Sequence, residues 1–428
     1  MSTQQLYLNG KSTRLREWLR IISLAGSAQI LVQASSFIGG IFILRMLSTH
    51  EYALYTIANA VLGTMAVLND GGVTTGAMSE GAKAWQDKGR MGSVLNTALL
   101  LRRKFAIASL IIVIPVLFYM LRSHDASWTL SCLITLSLIP AFFAAISGSL
   151  LEIVPKLSQE IAPLQKLQVQ NNIGRLVLLC IGLFAMPWAF IAILASGIPQ
   201  IWMNMKLRFL ASGYADLSAK ADKQIKASIL KIVYRVMPAS IYYCLSGQIT
   251  IWLSSVYGST STVAQLGALG RIAMLFNLFM VLFGALIMPR FARLPVNKHL
   301  LLRRFSQVMM LLFALCVVIM VSAWMFSAQI LWVLGPQYAG LNSEVVLSVL
   351  ASCIGMVAGS AFTLYSNRGW TINPALLIAI SLCTIGLGVL LIDISTIRGM
   401  ISLQLFIVSS EALMHSGYCI LRIKKISG

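Results

Sequence analysis

Long apolar segments alternate with short polar gaps along this chain, and the basic residues collect in every second gap. About twelve of these segments have the roughly 20 residues that an α-helix needs to cross the hydrocarbon core of a bilayer. Charged residues make up only 11% of the chain, whereas a soluble protein has about a quarter. The sequence therefore predicts an all-α polytopic membrane protein.

The predicted helices follow the apolar runs, and the first run is too long to be the core of a signal peptide. Pro187 lies in a nearly loopless turn between the fifth and sixth helices, since proline can end one helix and begin the next. The helices are expected near residues 21–44, 53–78, 94–120, 128–151, 168–186, 188–205, 233–256, 262–289, 305–327, 344–366, 372–393 and 398–421.

The distribution of basic residues predicts the orientation of the chain. Of the 33 lysines and arginines, 29 lie at the termini, in the even-numbered gaps or in the helix ends that border those gaps, 3 lie in the odd-numbered gaps, and Arg271 lies within a helix. Positively charged loops remain on the cytoplasmic side of a membrane. We therefore expect an even number of helices and two cytoplasmic termini. The net charge of +20 does not predict nucleic-acid binding, because the charge is spread over short loops between membrane segments.

The connection at 206–232 divides the predicted helices into two sets of six. We expect an N-terminal bundle at 1–210, a cytoplasmic linker at 211–232 and a C-terminal bundle at 233–428. Leu217, Ala221, Ile225 and Ile229 recur about once per helical turn in the linker, with lysines between them. This pattern fits a helix lying on an anionic bilayer surface, or a solvated linker helix.

The two bundles resemble a repeat. Similar segments open the second helix, from Leu47, and the eighth helix, from Gly258, and both helices run inward to a basic end. This register places Asn59 opposite Gly270. Because both bundles start on the same side, the predicted pseudo-two-fold axis runs along the membrane normal.

Arg271 is the first candidate functional residue. It lies about nine residues, or roughly 13 Å, inside the outer end of the eighth predicted helix. A guanidinium at that depth must face a wet cavity or a partner rather than lipid. It can bind phosphate oxygens with two parallel hydrogen bonds and stays charged. The alternative is an arginine paired with a carboxylate or with carbonyls between helices.

Other polar residues fall inside predicted helices, where they either join helices or line a polar cavity. Gln29 and Gln33 share one face with Ser36 and Gly40. Asp70 is a candidate ion-coupling site, or part of a helix-breaking turn with Gly71 and Gly72. Glu411 is the second ion-coupling candidate and shares a face with His415, as a proton relay or an interfacial pair. The remaining candidate positions are Asn59, Arg175, Tyr242, Tyr243 and Gln248.

Several catalytic patterns are missing from the sequence. It contains no GxxxxGK[ST] segment, and no GxSxG or HExxH segment. The seven cysteines have no CxxC or CxxH spacing, and the four histidines are isolated from one another. No metal and no other cofactor is predicted. The outer gaps hold only isolated acids, so an enzyme with a catalytic loop is a weak alternative.

Two segments resemble a known family. Arg45 to Tyr55, RMLSTHEYALY, looks like the "R-x-L-[SG]-x-x-[ED]-[YF]-[GA]-x-[YF]" turn of the polysaccharide transporter branch of the multidrug/oligosaccharidyl-lipid/polysaccharide exporter superfamily, which includes the Wzx-type O-antigen flippases. Leu334 to Tyr338, LGPQY, looks like the "[LF]-G-x-x-Y" of that family. Ala53 departs from the glycine that is common there.

The resemblance implies a non-enzymatic protein of the bacterial inner membrane, with two six-helix bundles in a V around a central cavity and alternating access. Its substrate would be an undecaprenyl-diphosphate-linked oligosaccharide, such as an O-antigen or related surface polysaccharide unit. An arginine in the eighth helix recurs in the family, and Arg271 matches it. We expect Arg271 to hold the diphosphate or an acidic sugar, and the polar residues above to bind sugar hydroxyls. The expected partners are this substrate, membrane lipids and other polysaccharide assembly proteins. An ion-coupled multidrug antiporter of the same superfamily is the main alternative.

Overall fold

The computed structural model describes residues 28–287, 291, 294–366, 368, 370 and 372–426. Within these residues the chain is helical and has no strand. The helices α1 to α15 are Ala28–Met46, Thr49–Asp70, Val73–Ala84, Lys88–Ser123, Trp128–Leu151, Ile153–Leu157, Ile161–Ala185, Ala189–Ser212, Lys223–Tyr257, Thr260–Leu286, Lys298–Met325, Ser327–Leu334, Asn342–Ser366, Pro374–Leu391 and Ile397–Lys424, with a 3₁₀ turn at Pro336–Tyr338.

The predicted fold class is confirmed. Twelve of the described helices are long and follow the twelve predicted segments in order, whereas α3, α6 and α12 are short additions. Nine of the long helices are long and apolar enough to cross a membrane by length and composition, counted over the described part of the chain. The other three, α8, α9 and α10, have similar lengths.

Two helix boundaries differ from the expected ones in an informative way. The second predicted helix is interrupted at Gly71 and Gly72, where φ is +48° and +93°, so α2 ends at Asp70 and α3 begins at Val73. A positive φ suits glycine, which has no Cβ to collide with the backbone. The third predicted helix, α4, begins six residues earlier, at Lys88. Pro187 separates α7 from α8 as expected.

The contacts divide the chain into two units. Among the described residues, the first contains those within 28–39, 61–118 and 127–241, and the second contains those within 40–60, 119–126 and 242–426. The helices α1, α2, α4 and α9 therefore each contribute to both units. The division at 211–232 concerns the internal sequence repeat rather than these contact-based units, and it stays a prediction.

The first unit has a continuous apolar core where α3, α4 and the start of α9 come together. Val73, Met91, Leu95 and Ile229 are among its fully buried side chains. Gly76 allows α3 and α9 to approach closely, because a Cβ at that position would lie 2.9 Å from Cγ2 of Ile229. This core lies toward the predicted cytoplasmic ends of α4 and α9.

The amphipathic pattern of the linker has a different explanation from the expected one. Ile225 and Ile229 are 7% and 0% exposed and belong to the apolar core, and Leu217 packs against it. Of the two expected environments, the bilayer surface and solvent, neither is correct for Ile225 and Ile229. An apolar stripe has the same sequence pattern whether it meets lipid or protein.

In the second unit α13 packs against α15, and it also contacts α10 and α11. Apolar side chains on the outside of both units face outward, as expected where lipid replaces water as the solvent. Trp128 and Trp188 lie exposed at the starts of α5 and α8, and Trp324 and Trp332 lie exposed near the end of α11 and in α12. These positions fit an aromatic belt at the predicted outer interface.

Candidate functional site

Within the second unit, α10 crosses α2 at a close contact. Ser259 caps α10 with its hydroxyl. A Cβ added to Gly267 would lie 2.9 Å from Cγ2 of Thr56 and 3.1 Å from Cε1 of Tyr52. These distances are shorter than van der Waals contact, so the crossing requires a glycine. The predicted repeat register also pairs Thr56 with Gly267, and equivalent positions meet at a two-fold axis.

Arg271 lies one turn further along α10, about 17 Å from the start of that helix. It is buried, with 9% of its surface exposed. Its Nε donates a hydrogen bond to the Tyr52 hydroxyl at 3.2 Å. The guanidinium carbon is 5.7 Å from the centroid of the Tyr55 ring, and one terminal nitrogen is 3.8 Å from the Met274 sulfur. Gly40 makes room for the side chain, since a Cβ there would be 3.1 Å from Cδ of Arg271.

The charge of Arg271 is not balanced by a carboxylate among the described residues. The ion pairs found there join Lys83 to Glu80, Arg102 to Asp70, and Lys156 to Glu152. Hydroxyl, aromatic and thioether groups stabilise a guanidinium but leave its net charge in place. A buried cation of this kind favours the approach of an anion.

Both segments that carry the family resemblance meet in the second unit. Arg45 donates from Nε to the carbonyl of Val333 at 2.9 Å and from a terminal nitrogen to the carbonyl of Trp332. Gln337 donates to the carbonyl of Leu44 at 3.1 Å. Gly335 adopts φ +131°, which starts the 3₁₀ turn that buries Tyr338. These motif residues fasten the end of α1 to the turn after α12.

Glu411 borders a cavity of about 320 Å³ in the second unit. Its other polar lining residues are Ser246, Thr250, Gln404 and His415. His415 is buried and its Nδ1 is 3.0 Å from the Tyr365 hydroxyl. Glu411 forms no ion pair within the described part of the chain, so this cavity offers one carboxylate and several neutral oxygens to a proton or a small cation.

Asp70 has a structural environment of a different kind in the first unit. Its carboxylate pairs with Arg102 and accepts hydrogen bonds from the amide and hydroxyl of Thr74. Arg102 is only 3% exposed and also donates to the carbonyls of Ala145 and Ile146. Arg102 therefore points into the protein interior rather than toward solvent. Asp70 compensates that buried cation and closes the turn after α2.

The other predicted site residues are distributed over both units. Gln29 and Gln33 are half-buried in α1, where Ser36 of the same stripe donates to Asn172 at 3.2 Å. Arg175 is half-buried in α7. Asn59 is exposed in α2, and Gln248 is half-buried in α9. Tyr242 is buried, and its hydroxyl neighbours Ser246 and Ser381. The side chain of Tyr243 lies outside the described residues.

Sequence reasoning missed Tyr52, Tyr55 and Arg102. The two tyrosines stand three residues apart in a predicted helix, which places them on one face. That spacing indicates a helix face that can contact another part of the chain, but it does not identify Arg271, which is more than 200 residues away. Arg102 is followed by two further basic residues, Arg103 and Lys104, which are exposed, and nothing in the sequence marks Arg102 as the buried one.

The fold is that of MATE transporters of the MOP superfamily. A solved inward-facing multidrug resistance MATE family transporter of that superfamily is 14% identical, with a TM-score of 0.77 over 92% of this chain and 95% of its own. A MATE structure in complex with MaD3S is 14% identical, with a TM-score of 0.64 over 95% of each chain. A MOP superfamily transporter from Pyrococcus furiosus, described as having a binding pocket of reverse polarity, is 15% identical, with a TM-score of 0.65 over 95% and 94%.

No protein-family model matches the sequence, and no curated protein matches it. At 12–15% identity these likenesses establish the fold and leave the substrate open.

Proposed function

We propose that this protein is a transporter that turns an undecaprenyl-diphosphate-linked oligosaccharide from the cytoplasmic to the outer leaflet of the bacterial inner membrane by alternating access. The glycan would be an O-antigen unit or a related surface polysaccharide unit. Both termini would be cytoplasmic, and the protein would act beside other polysaccharide assembly proteins rather than as an enzyme. The observation that carries this proposal is the buried charge of Arg271.

Arg271 favours an anionic substrate for two reasons. Its guanidinium is buried beside Tyr52 and Tyr55 with no balancing carboxylate among the described residues. It also matches diphosphate oxygens in geometry and remains charged throughout a transport cycle. Gln29, Gln33, Asn59, Arg175, Tyr242, Tyr243 and Gln248 are the proposed hydrogen-bonding groups for sugars.

Glu411 is the stronger of the two ion-coupling candidates. It borders a cavity with neutral oxygens, whereas the Asp70 carboxylate already neutralises Arg102. A carboxylate inside a membrane protein can exchange a proton or a cation between the two sides. In this proposal Glu411 binds the proton or cation whose movement across the membrane drives transport, and Arg271 holds the substrate.

The alternative is an ion-coupled multidrug antiporter, and the Glu411 cavity together with the fold supports it. A cationic drug would be attracted by acids and repelled by a buried guanidinium. Arg271 therefore favours the glycan substrate over cationic drugs.

The test uses a strain from which the gene is deleted and variants returned at matched expression. Lipid-linked glycan is labelled with a reagent that does not cross the membrane, so that only outward-facing molecules react. Arg271→Ala should lower the labelled fraction about 10-fold to 100-fold, as expected for losing one or two charge-assisted hydrogen bonds. Arg271→Lys should retain an intermediate fraction, because it keeps the charge but loses the planar fork.

Arg303→Ala is the matched control, since this arginine is exposed in the same unit and carries the same charge. It should label like the wild type. Wild-type labelling of Arg271→Ala would remove Arg271 from substrate binding. The antiporter would be favoured if the deletion strain kept normal glycan orientation but became more susceptible to drugs, and if the wild-type gene restored resistance whereas Glu411→Gln did not.

A further inference from the structure

A second large cavity lies on the membrane-facing side of the first unit and takes no part in the proposed transport site. It has a volume of about 590 Å³ and is lined by α4, α5, α8 and the connection after α8. Its walls are apolar and include Leu100, Phe143 and Met205, all of which are exposed. Arg103 and Arg208 are the charged residues of this lining. The cavity therefore has apolar walls and a basic rim formed by Arg103 and Arg208.

Helix geometry places the basic rim at the edge of the hydrocarbon core. Arg103 lies twenty residues before Ser123, the last residue of α4, which corresponds to about 30 Å. Arg208 lies nineteen residues after Ala189, the first residue of α8, or about 29 Å. Both helices have those ends on the predicted outer side. The two arginines thus lie about one hydrocarbon thickness from the predicted outer surface, at the depth of the lipid phosphates of the cytoplasmic leaflet.

The positive charge of the rim has no opposing charge in the lining. No aspartate or glutamate lines the cavity, and neither Arg103 nor Arg208 forms an ion pair within the described residues. The nearest acids along the chain serve local turns. Asp216 accepts hydrogen bonds from Ser218, and the Asp222 carboxylate accepts from the first amides of α9.

Asn204 and Ser147 supply polar groups to the same lining. The Asn204 amide is 8% exposed and donates to the Ser147 hydroxyl at 3.0 Å and to the Ala144 carbonyl at 2.6 Å. Asn96 holds the rim in place by donating to the carbonyls of Leu217 at 3.0 Å and Ala219 at 2.7 Å. Two residues of the lining are thus held by hydrogen bonds to main-chain carbonyls of neighbouring segments.

We propose that this cavity binds an anionic phospholipid of the leaflet on the Arg103 side. Its phosphate lies between Arg103 and Arg208, and an acyl chain follows the wall formed by Phe143 and Met205. An anionic headgroup is favoured because a zwitterionic one would bring an amine toward two arginines with no carboxylate to receive it. Free phosphate has no apolar part that could cover the apolar wall, so a lipid matches the cavity better.

The experiment measures lipid binding to the purified full chain by native mass spectrometry. The protein is titrated with phosphatidylglycerol, with phosphatidylethanolamine of the same acyl chains, or with inorganic phosphate. Phosphatidylglycerol should bind more tightly than phosphatidylethanolamine. The variant R103A/R208A should bind phosphatidylglycerol about 30-fold more weakly, since each basic residue near a lipid headgroup contributes about a fivefold factor. R103K/R208K should bind nearly as the wild type does.

Lys104 and Lys206 provide the matched control. They are exposed neighbours of the two arginines on the same helices and are not part of the cavity lining. K104A/K206A removes the same charge and should keep wild-type affinity. Equal losses in both double variants would mean that only the overall charge matters and would overturn the site. Equal binding of both lipids, or displacement of phosphatidylglycerol by inorganic phosphate, would overturn the anionic-lipid assignment.

Discussion

The contact between α2 and α10 can be tested with two glycines of the same helix. A Cβ at Gly267 would come within 2.9 Å of Thr56 and 3.1 Å of Tyr52, whereas a Cβ at Gly270 would meet nothing within 4 Å. Replacing either glycine with alanine improves helix propensity by up to about 1 kcal/mol. Only Gly267→Ala adds a methyl group to a filled space, which costs about 1–3 kcal/mol.

The propensity terms cancel in the comparison, so the steric term remains. Gly270→Ala should be more stable than the wild type, and Gly267→Ala should be less stable than Gly270→Ala by about 1–3 kcal/mol. Thermal unfolding of the purified variants in one detergent measures this difference. A protein of this size shifts by about 2 °C per kcal/mol, so the two midpoints should differ by about 2–6 °C.

A third variant connects the loss to the proposed contact. Thr56→Ala removes the side-chain atoms that the new methyl group would meet, so it should restore part of the stability of Gly267→Ala. The reasoning would be refuted if Gly267→Ala unfolded at or above the midpoint of Gly270→Ala. It would also be refuted if Thr56→Ala lowered the midpoint equally in both backgrounds.

Three further predictions concern side chains already described. Gly40→Ala should displace the Arg271 guanidinium, because its Cβ would lie 3.1–3.3 Å from three side-chain atoms, and it should lower outward-facing lipid-linked glycan without lowering protein amount. Asp70→Asn should destabilise the protein by about 2–3 kcal/mol in thermal unfolding, since it leaves Arg102 buried without its counter-charge while Asp70 itself is 31% exposed. Asn96→Leu should remove two hydrogen bonds, worth about 1–3 kcal/mol together, and speed trypsin cleavage in the connection between α8 and α9.

Each of these predictions has its own control. Gly39→Ala adds the same methyl group at an ordinary contact distance of 3.4 Å and should leave glycan export unchanged. Replacing both Asp70 and Arg102, in D70N/R102M, should recover stability relative to Asp70→Asn alone. Equal stability of the single and double variants would contradict the ion-pair argument. Wild-type cleavage of Asn96→Leu would show that the connection is held by other contacts.

The fold was predictable because membrane helices leave a strong record in the sequence. Each run of apolar residues had to become a helix, since lipid cannot satisfy an open backbone. The break in the second predicted helix was marked by Gly71 and Gly72. The surroundings of the apolar face at the start of α9 were not predictable, because Ile225 and Ile229 would show the same spacing whether they contacted lipid or protein.

The candidate site was predictable only in part. A charged side chain deep in an apolar run is visible in the sequence, and this identified Arg271 and Glu411. Their surroundings depend on chain segments far away, as with Tyr52 and Arg271, which are separated by 219 positions. The pairing of Asp70 with Arg102 spans 32 positions and likewise leaves no local pattern.

The clasp formed by Arg45 and Gln337 bears on how proteins of this kind are grouped. Its hydrogen bonds go to the main-chain carbonyls of Val333 and Leu44, and these acceptors are present whatever amino acid occupies the two positions. These two motif residues therefore fix a backbone arrangement at the end of α1 and take no part in the surroundings of Arg271. A match to the short motifs accordingly indicates this arrangement and carries no information about a ligand.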